Sequence, residues 1–103
     1  MFIKFDGMFF NLNKFEYFNF ISQERDGVYC VEFNLHKKST DEEPVMTYLS
    51  VEKISTWEAT ERCIFCLEEL LSEKLETSKF CDIGELIESQ IKVSHLRAKL
   101  VKD

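Results

Sequence analysis

Cys63-Ile64-Phe65-Cys66 is the string in this chain closest to a chemical motif. Two thiols at that spacing act as a redox pair when the first sits at a helix N-terminus, where the dipole lowers its pKa. Here they fall about two turns inside a predicted helix, on its apolar side, without the βαβ setting that a redox motif needs. The same cysteines could join Cys81 and His95 in a Cys-x2-Cys-x14-Cys-x13-His zinc set, with Cys30 to spare. Zinc takes four such ligands in a tetrahedron, and structural sites usually draw a close pair from a turn. No second close pair exists, so packed, reduced cysteines are expected, with no metal and no cofactor.

The other reactive types are scattered. His36 and His95 stand apart in sequence, and neither adjoins a Ser or Cys in a nucleophile signature. His36 is expected at the surface beside Lys37 and Lys38, and His95 on the basic flank of the last helix. The pairs Glu42-Glu43 and Glu68-Glu69 put neighbours on different sides of a strand or helix, whereas catalytic carboxylates converge on one bond. With three glycines in all there is little material for a phosphate cradle. Catalysis is not expected.

Aromatic residues are the other resource. Eight of the ten phenylalanines lie before residue 34, and Phe9, Phe10, Phe15, Tyr17, Phe18 and Phe20 exceed what one covered sheet face needs. A sheet bearing such rings can stack single-stranded bases when Lys and Arg accompany it. This half of the chain is electrically balanced, so the surplus rings are read as a subunit or peptide interface.

The elements that must position these groups follow from periodicity. Residues 2–5, 8–10, 15–22, 28–36 and 45–51 are β-prone, and Asp6-Gly7 and Asp26-Gly27 are hairpin turn pairs. Asn11-Leu12-Asn13-Lys14 breaks the second run, because both Asn bond local backbone. In the 28–36 run, Tyr29, Val31, Phe33 and Leu35 share one face, and Cys30, Glu32, Asn34 and His36 the other. At Ser55 the period changes. Ser55 with Glu58 reads as a capping box, and Trp57, Thr60, Ile64, Leu67, Leu71 and Leu75 form one helical stripe to about residue 78. Lys79-Phe80-Cys81 reads as a break. Asp82 with Glu85 then starts a second helix over 82–101, with Leu86, Val93 and Leu100 seven apart among Ile83, Ile87, Ile91, Leu96 and Val101.

The fold expected is α+β in one domain, 1–103: a four- to five-stranded antiparallel meander over 1–52, an amphipathic helix over 55–78 and a second helix over 82–101. The chain of 103 residues carries 13 basic and 19 acidic residues, a net charge of -6 that argues against binding through nucleic-acid phosphates. Charge is uneven, since Lys92, Arg97, Lys99 and Lys102 make the end locally basic. No stretch approaches the roughly 20 apolar residues of a membrane span, and Met1-Phe2-Ile3-Lys4-Phe5-Asp6 lacks the features of a signal peptide. A cytoplasmic protein without membrane contact is expected.

Phe5-Asp6-Gly7-Met8-Phe9-Phe10-Asn11-Leu12-Asn13-Lys14-Phe15 resembles the start of small bacterial and phage domains in which a strand, a glycine turn and an "Ile-Asn-Leu-x-x-Ile" turn open a meander closed by a helix. Some of these look like pleckstrin-homology-type half-barrels. Phe5-Asp6, Met8 and Asn11-Leu12 are also similar to the first motif of Sm-like barrels, whose second motif and leading helix are absent here. The resemblance covers residues 1–78 and implies a fold, such as a small half-barrel, without site residues. Together these features lead to the expectation of a non-enzymatic interaction or assembly module acting through homo-oligomerisation and a protein partner. The alternative is a small single-stranded nucleic-acid binder using the sheet aromatics and the basic tail.

Overall fold

A computed structural model describes residues 1–5, 7–40 and 42–101, with the side chains of residues 5, 98, 100 and 101 outside that description. In chain order the elements are β1 (Phe2–Phe5), β2 (Met8–Asn11), a 3-10 turn (Leu12–Lys14), β3 (Tyr17–Arg25), β4 (Val28–His36), β5 (Met46–Leu49), α1 (Trp57–Thr77), β6 (Phe80–Asp82) and α2 (Ile83–Val101). The class is α+β. The five expected strands are present, but they do not form one meander or half-barrel. β3-β4-β5 make one antiparallel sheet, while β1 and β2 join β6 in a second, ordered β2-β1-β6.

The division has a local cause. Asn11 caps the 3-10 turn, its side chain accepting from the Asn13 amide at 3.1 Å, and the Leu12 amide donates back to the Met1 carbonyl at 2.9 Å. Burial of Leu12 ties the end of β2 to the start of the chain, so β3 begins in the other sheet. The free edge of β1 is taken by β6, which runs parallel to it with Phe2 opposite Phe80, Ile3 opposite Cys81 and Lys4 opposite Asp82. Residues 79–81 were expected to be a break. Three residues show no periodicity, and their partner lies at the far end of the chain, so nothing local marks them as a strand.

β3 and β4 meet in a two-residue hairpin closed by Arg25 opposite Val28. Asp26 and Gly27 both take positive φ, 54° and 81°, the pair of values that a type I′ turn requires. Gly7 at φ 75° serves the β1–β2 turn, whose Asp6 lies outside the described residues.

The alternation along β4 carries Val31, Phe33 and Leu35 inward, all fully buried, beside Phe18 and Phe20 of β3. From the other sheet Ile3 and Cys81 join the same core. α1 lies over β3 and β4, and α2 over β1 and β6. Their buried stripes are Thr60, Cys63, Ile64, Leu67 and Leu71 on α1, and Ile83, Ile87 and Ile91 on α2. Trp57 and Leu75, expected on the α1 stripe, lie beyond its packed middle and are largely exposed. The cap of α1 is Thr56 rather than Ser55: its side chain accepts from the Ala59 amide at 3.2 Å. Asp82 caps α2 as expected, accepting from the Glu85 amide at 3.1 Å. Among the described residues, no helix is long and apolar enough to cross a membrane.

Candidate interaction surfaces

The cysteines are all free, with Cys30, Cys63 and Cys81 buried and Cys66 partly so. Burial, reinforced by the nearby Cys66 thiol, pushes the Cys63 thiol up to about 11 from an ordinary 9.0, the opposite of an activated nucleophile. Burial also pushes Cys81 up, against the opposing pull of Lys74. His95 stands away from both, its Nε2–H donating to the Lys53 carbonyl at 2.8 Å. Among the described residues no group of three or more His, Cys, Asp and Glu side chains gathers as a metal site, so the Cys63, Cys66, Cys81 and His95 set does not converge. Cys30 accepts a contact from Lys53 Nζ at 3.2 Å.

The sheet aromatics do not form one platform. Phe18 and Phe20 turn into the core against Phe33, with ring centroids 6.0 and 5.1 Å away. Phe10 and Phe15 pack partly on the core and edge to face on each other at 6.3 Å. Tyr17 stays on the outer face of the β3-β4-β5 sheet, beside His36.

Phe9 belongs to a different surface. In the β2-β1-β6 sheet Ile3 and Cys81 point inward, so Phe2, Lys4, Phe9, Phe80 and Asp82 project from the outer face. Phe2, Phe9 and Phe80 are 48%, 62% and 46% exposed, and the Phe9 and Phe80 rings sit 5.7 Å apart. Lys4 Nζ lies 5.8 Å from the Phe9 ring centre, a cation–π distance. Three exposed rings on one small sheet form a contiguous apolar patch with a positive and a negative residue among them. Phe80 could not be placed there from sequence, because its strand was not recognisable.

The outer face of the β3-β4-β5 sheet is polar. Asn19 opposes Asn34, Tyr17 opposes His36, and Thr47 opposes Asn34 from the other side. Thr47 Oγ1 donates to Asn34 Oδ1 at 2.7 Å, and Asn34 Nδ2 donates to Glu32 Oε2 at 2.9 Å. His36 was expected at the surface. It is buried, as is Asn34: the Tyr17 ring packs 5.2 Å from that of His36, and Glu42 and Pro44 help line a hollow of about 420 Å³ on this face. Glu42 is exposed, and so are Glu68 and Glu69.

α2 divides at its middle. Ile83, Ile87 and Ile91 dock it on the chain's own core. Val93 and Leu96 are exposed beyond that stripe, with Lys92, Arg97 and Lys99 around them. Lys102 and the Leu100 side chain lie outside the described residues. A scan of family models, a search of curated proteins and a search of solved structures each found no match to this chain.

Proposed function

We propose that this protein is a non-enzymatic assembly module whose contact with a second copy, or with a protein partner, is centred on Phe2, Phe9 and Phe80. The observation that carries the reading is the exposure of these three rings on one outer sheet face. A phenylalanine side chain offers on the order of 150–250 Å². Three at roughly half exposure present about 300 Å², the size at which an apolar patch on a monomer usually has a purpose.

The size also bounds the contact. Two such patches facing each other bury about 600 Å², below the roughly 1,200 Å² of a stable interface. The rim must contribute, and Lys4 and Asp82 on the same face suit a two-fold arrangement in which each meets the other's counterpart. The expected complex is therefore weak and concentration-dependent. Against the alternative of base stacking, the inward turn of Phe18 and Phe20 leaves Phe9 and Tyr17 on separate sheets.

Sedimentation velocity over a micromolar concentration series tests the reading, with Phe9→Asp as the control. A rise in mass with concentration that Phe9→Asp removes is the expected result. A wild-type monomer at every concentration, together with no partner whose binding responds to Phe9→Asp, overturns it. Fluorescence quenching by a single-stranded oligonucleotide at low salt would favour the alternative instead.

A further inference from the structure

We propose that the open edge of β3 pairs with the same edge of a second copy, joining two β3-β4-β5 sheets into one continuous sheet about a two-fold axis at Ile21. This contact is separate from the Phe2–Phe9–Phe80 patch, which lies on the other sheet.

β3 is nine residues long and ends its sheet, whereas β2, β5 and β6 at the other sheet edges have four, four and three residues. Long open edges are normally blunted by lysine, proline or a bulge. Residues 17–25 contain no lysine or proline, and their register with β4 is unbroken.

What this edge offers follows from the far side of β4. There Tyr29 exchanges two hydrogen bonds with Ile54, the Val31 carbonyl accepts from the Ser50 amide, and the Leu35 carbonyl accepts from the Val45 amide. These residues therefore turn their main-chain groups away from β3. Their partners Glu24, Ser22 and Phe18, and Phe20 by the same alternation, turn theirs to the open edge. An antiparallel two-fold pairing with Ile21 opposite its own counterpart sets Phe20 opposite Ser22 and Phe18 opposite Glu24. Every outward group then meets an outward group, for about eight hydrogen bonds. A shift of one residue opposes groups already bonded to β4, and a shift of two leaves an end unpaired. That symmetry selects a second copy over an unrelated strand.

The side chains suit the same register. Ile21, exposed on the outer face, meets Ile21, and Tyr17 lies opposite Arg25, aromatic against cation. On the inner face Ser22 Oγ donates to Glu61 Oε1 at 2.9 Å, which fixes the flank of α1 that overlooks β3. Trp57 and Phe65, one turn before and after Glu61, share that flank and are 53% and 62% exposed. Across the axis they face the second copy's α1. About 30 Å of strand edge with these rings from both copies amounts to about 1,000 Å², the lower bound of a specific interface. Glu61 and Glu68 meet like charge, so the dimer tightens as salt screens them.

Sedimentation and amide hydrogen exchange in the Phe9→Asp background, where the other patch is disabled, test this contact. The expected result is a dimer at micromolar concentration, which Ile21→Lys converts to monomer by opposing two ammonium groups at the axis. Phe65→Asp, at an exposed position on a different element, should weaken the dimer about tenfold. In the dimer, the amides of Phe18, Phe20, Ser22 and Glu24 should exchange about tenfold more slowly than in the Ile21→Lys monomer. A Phe9→Asp protein that is monomeric at every concentration, a dimer that neither substitution weakens, or unprotected amides at those four positions overturns the proposal. Association lost entirely in Phe9→Asp leaves only the Phe2–Phe9–Phe80 contact, and a Phe9→Asp dimer that matches wild type at every concentration leaves only the β3 contact.

Discussion

Tyr48 Oη donates to Glu88 Oε2 at 2.9 Å, a bond from the edge strand of one sheet to the helix packed on the other. The same carboxylate accepts from the Val51 amide at 3.0 Å and the Glu52 amide at 2.9 Å. One side chain on α2 thus satisfies the chain leaving β5 and fastens the two sheets together through their helix. Ser50 extends the fastening, its hydroxyl donating to the Glu52 carbonyl and accepting from the Val31 amide.

Replacing Glu88 by alanine should therefore cost about 2 kcal/mol, because it strands backbone donors as well as the tyrosine hydroxyl. Tyr48→Phe removes a single donor and should cost about 1 kcal/mol. Urea denaturation of both single variants and the double variant gives the coupling between them. A double variant no worse than Glu88→Ala is expected, since the Tyr48–Glu88 bond is already lost in that single variant.

Gly84 sits under the same tyrosine ring. A Cβ there would meet Tyr48 Cε2 at 3.3 Å and Cζ at 3.4 Å, contacts that force the ring to give way. The ring is held at its hydroxyl by Glu88, so it cannot yield freely. Gly84→Ala should destabilise by about half a kcal/mol in the wild-type background, despite alanine's better helix propensity. With Tyr48→Ala the obstruction is gone and the same substitution should stabilise. Thermal unfolding of the four proteins reads the change of sign.

These contacts mark the boundary of what the amino-acid order discloses. The inward set of β4 follows from alternation, and the Asp26-Gly27 hairpin from residue types that accept positive φ. The polar set of the same strand was misjudged. Alternation assigns Asn34 and His36 to the outer face, yet says nothing of the neighbours on that face that leave both buried. β6 escaped for a similar reason: its strand character comes from the open edge of β1, nearly eighty residues away. The Phe2–Phe9–Phe80 patch needs that pairing to exist, so it could not be read as one surface, although an excess of phenylalanine was evident. Glu88 looks like any solvent-facing helix glutamate until the turn after β5 is laid against it.

The two candidate caps of α1 can be separated directly. Thr56 Oγ1 accepts from the Ala59 amide, and its carbonyl accepts from both the Thr60 amide and the Thr60 hydroxyl. Thr56→Ala should cost about 1 kcal/mol in chemical denaturation, the usual value of an N-cap. Ser55→Ala, one residue outside the cap, should fall within about 0.5 kcal/mol of wild type.

The Cys63 thiol gives an alkaline signature. Burial and the neighbouring Cys66 raise it from 9.0 to about 11, so the folded protein holds this proton where the unfolded chain releases it. Its contribution is fully present below pH 9.0 and is lost as pH rises towards about 11. Stability measured across that window should fall less steeply in Cys63→Ala than in wild type, whatever the offset from the lost side chain. Alkylation of the folded protein at neutral pH should label Cys66 first, the one cysteine that is not fully buried.

The division of α2 leads to a contrast between two of its leucine-sized residues. Ile87 is fully buried, one helical turn from Ile83 and from Ile91, and truncating it leaves a cavity that the core cannot close. Ile87→Ala should cost about 2–5 kcal/mol, as buried aliphatic truncations do. Leu96 is 60% exposed, beside His95, whose ring bonds the Lys53 carbonyl. Leu96→Ser should leave urea stability within about 0.5 kcal/mol of wild type. If both substitutions cost more than about 2 kcal/mol, the outer half of α2 is buried against something in solution, and the mass of Leu96→Ser relative to wild type would tell whether that something is a second copy.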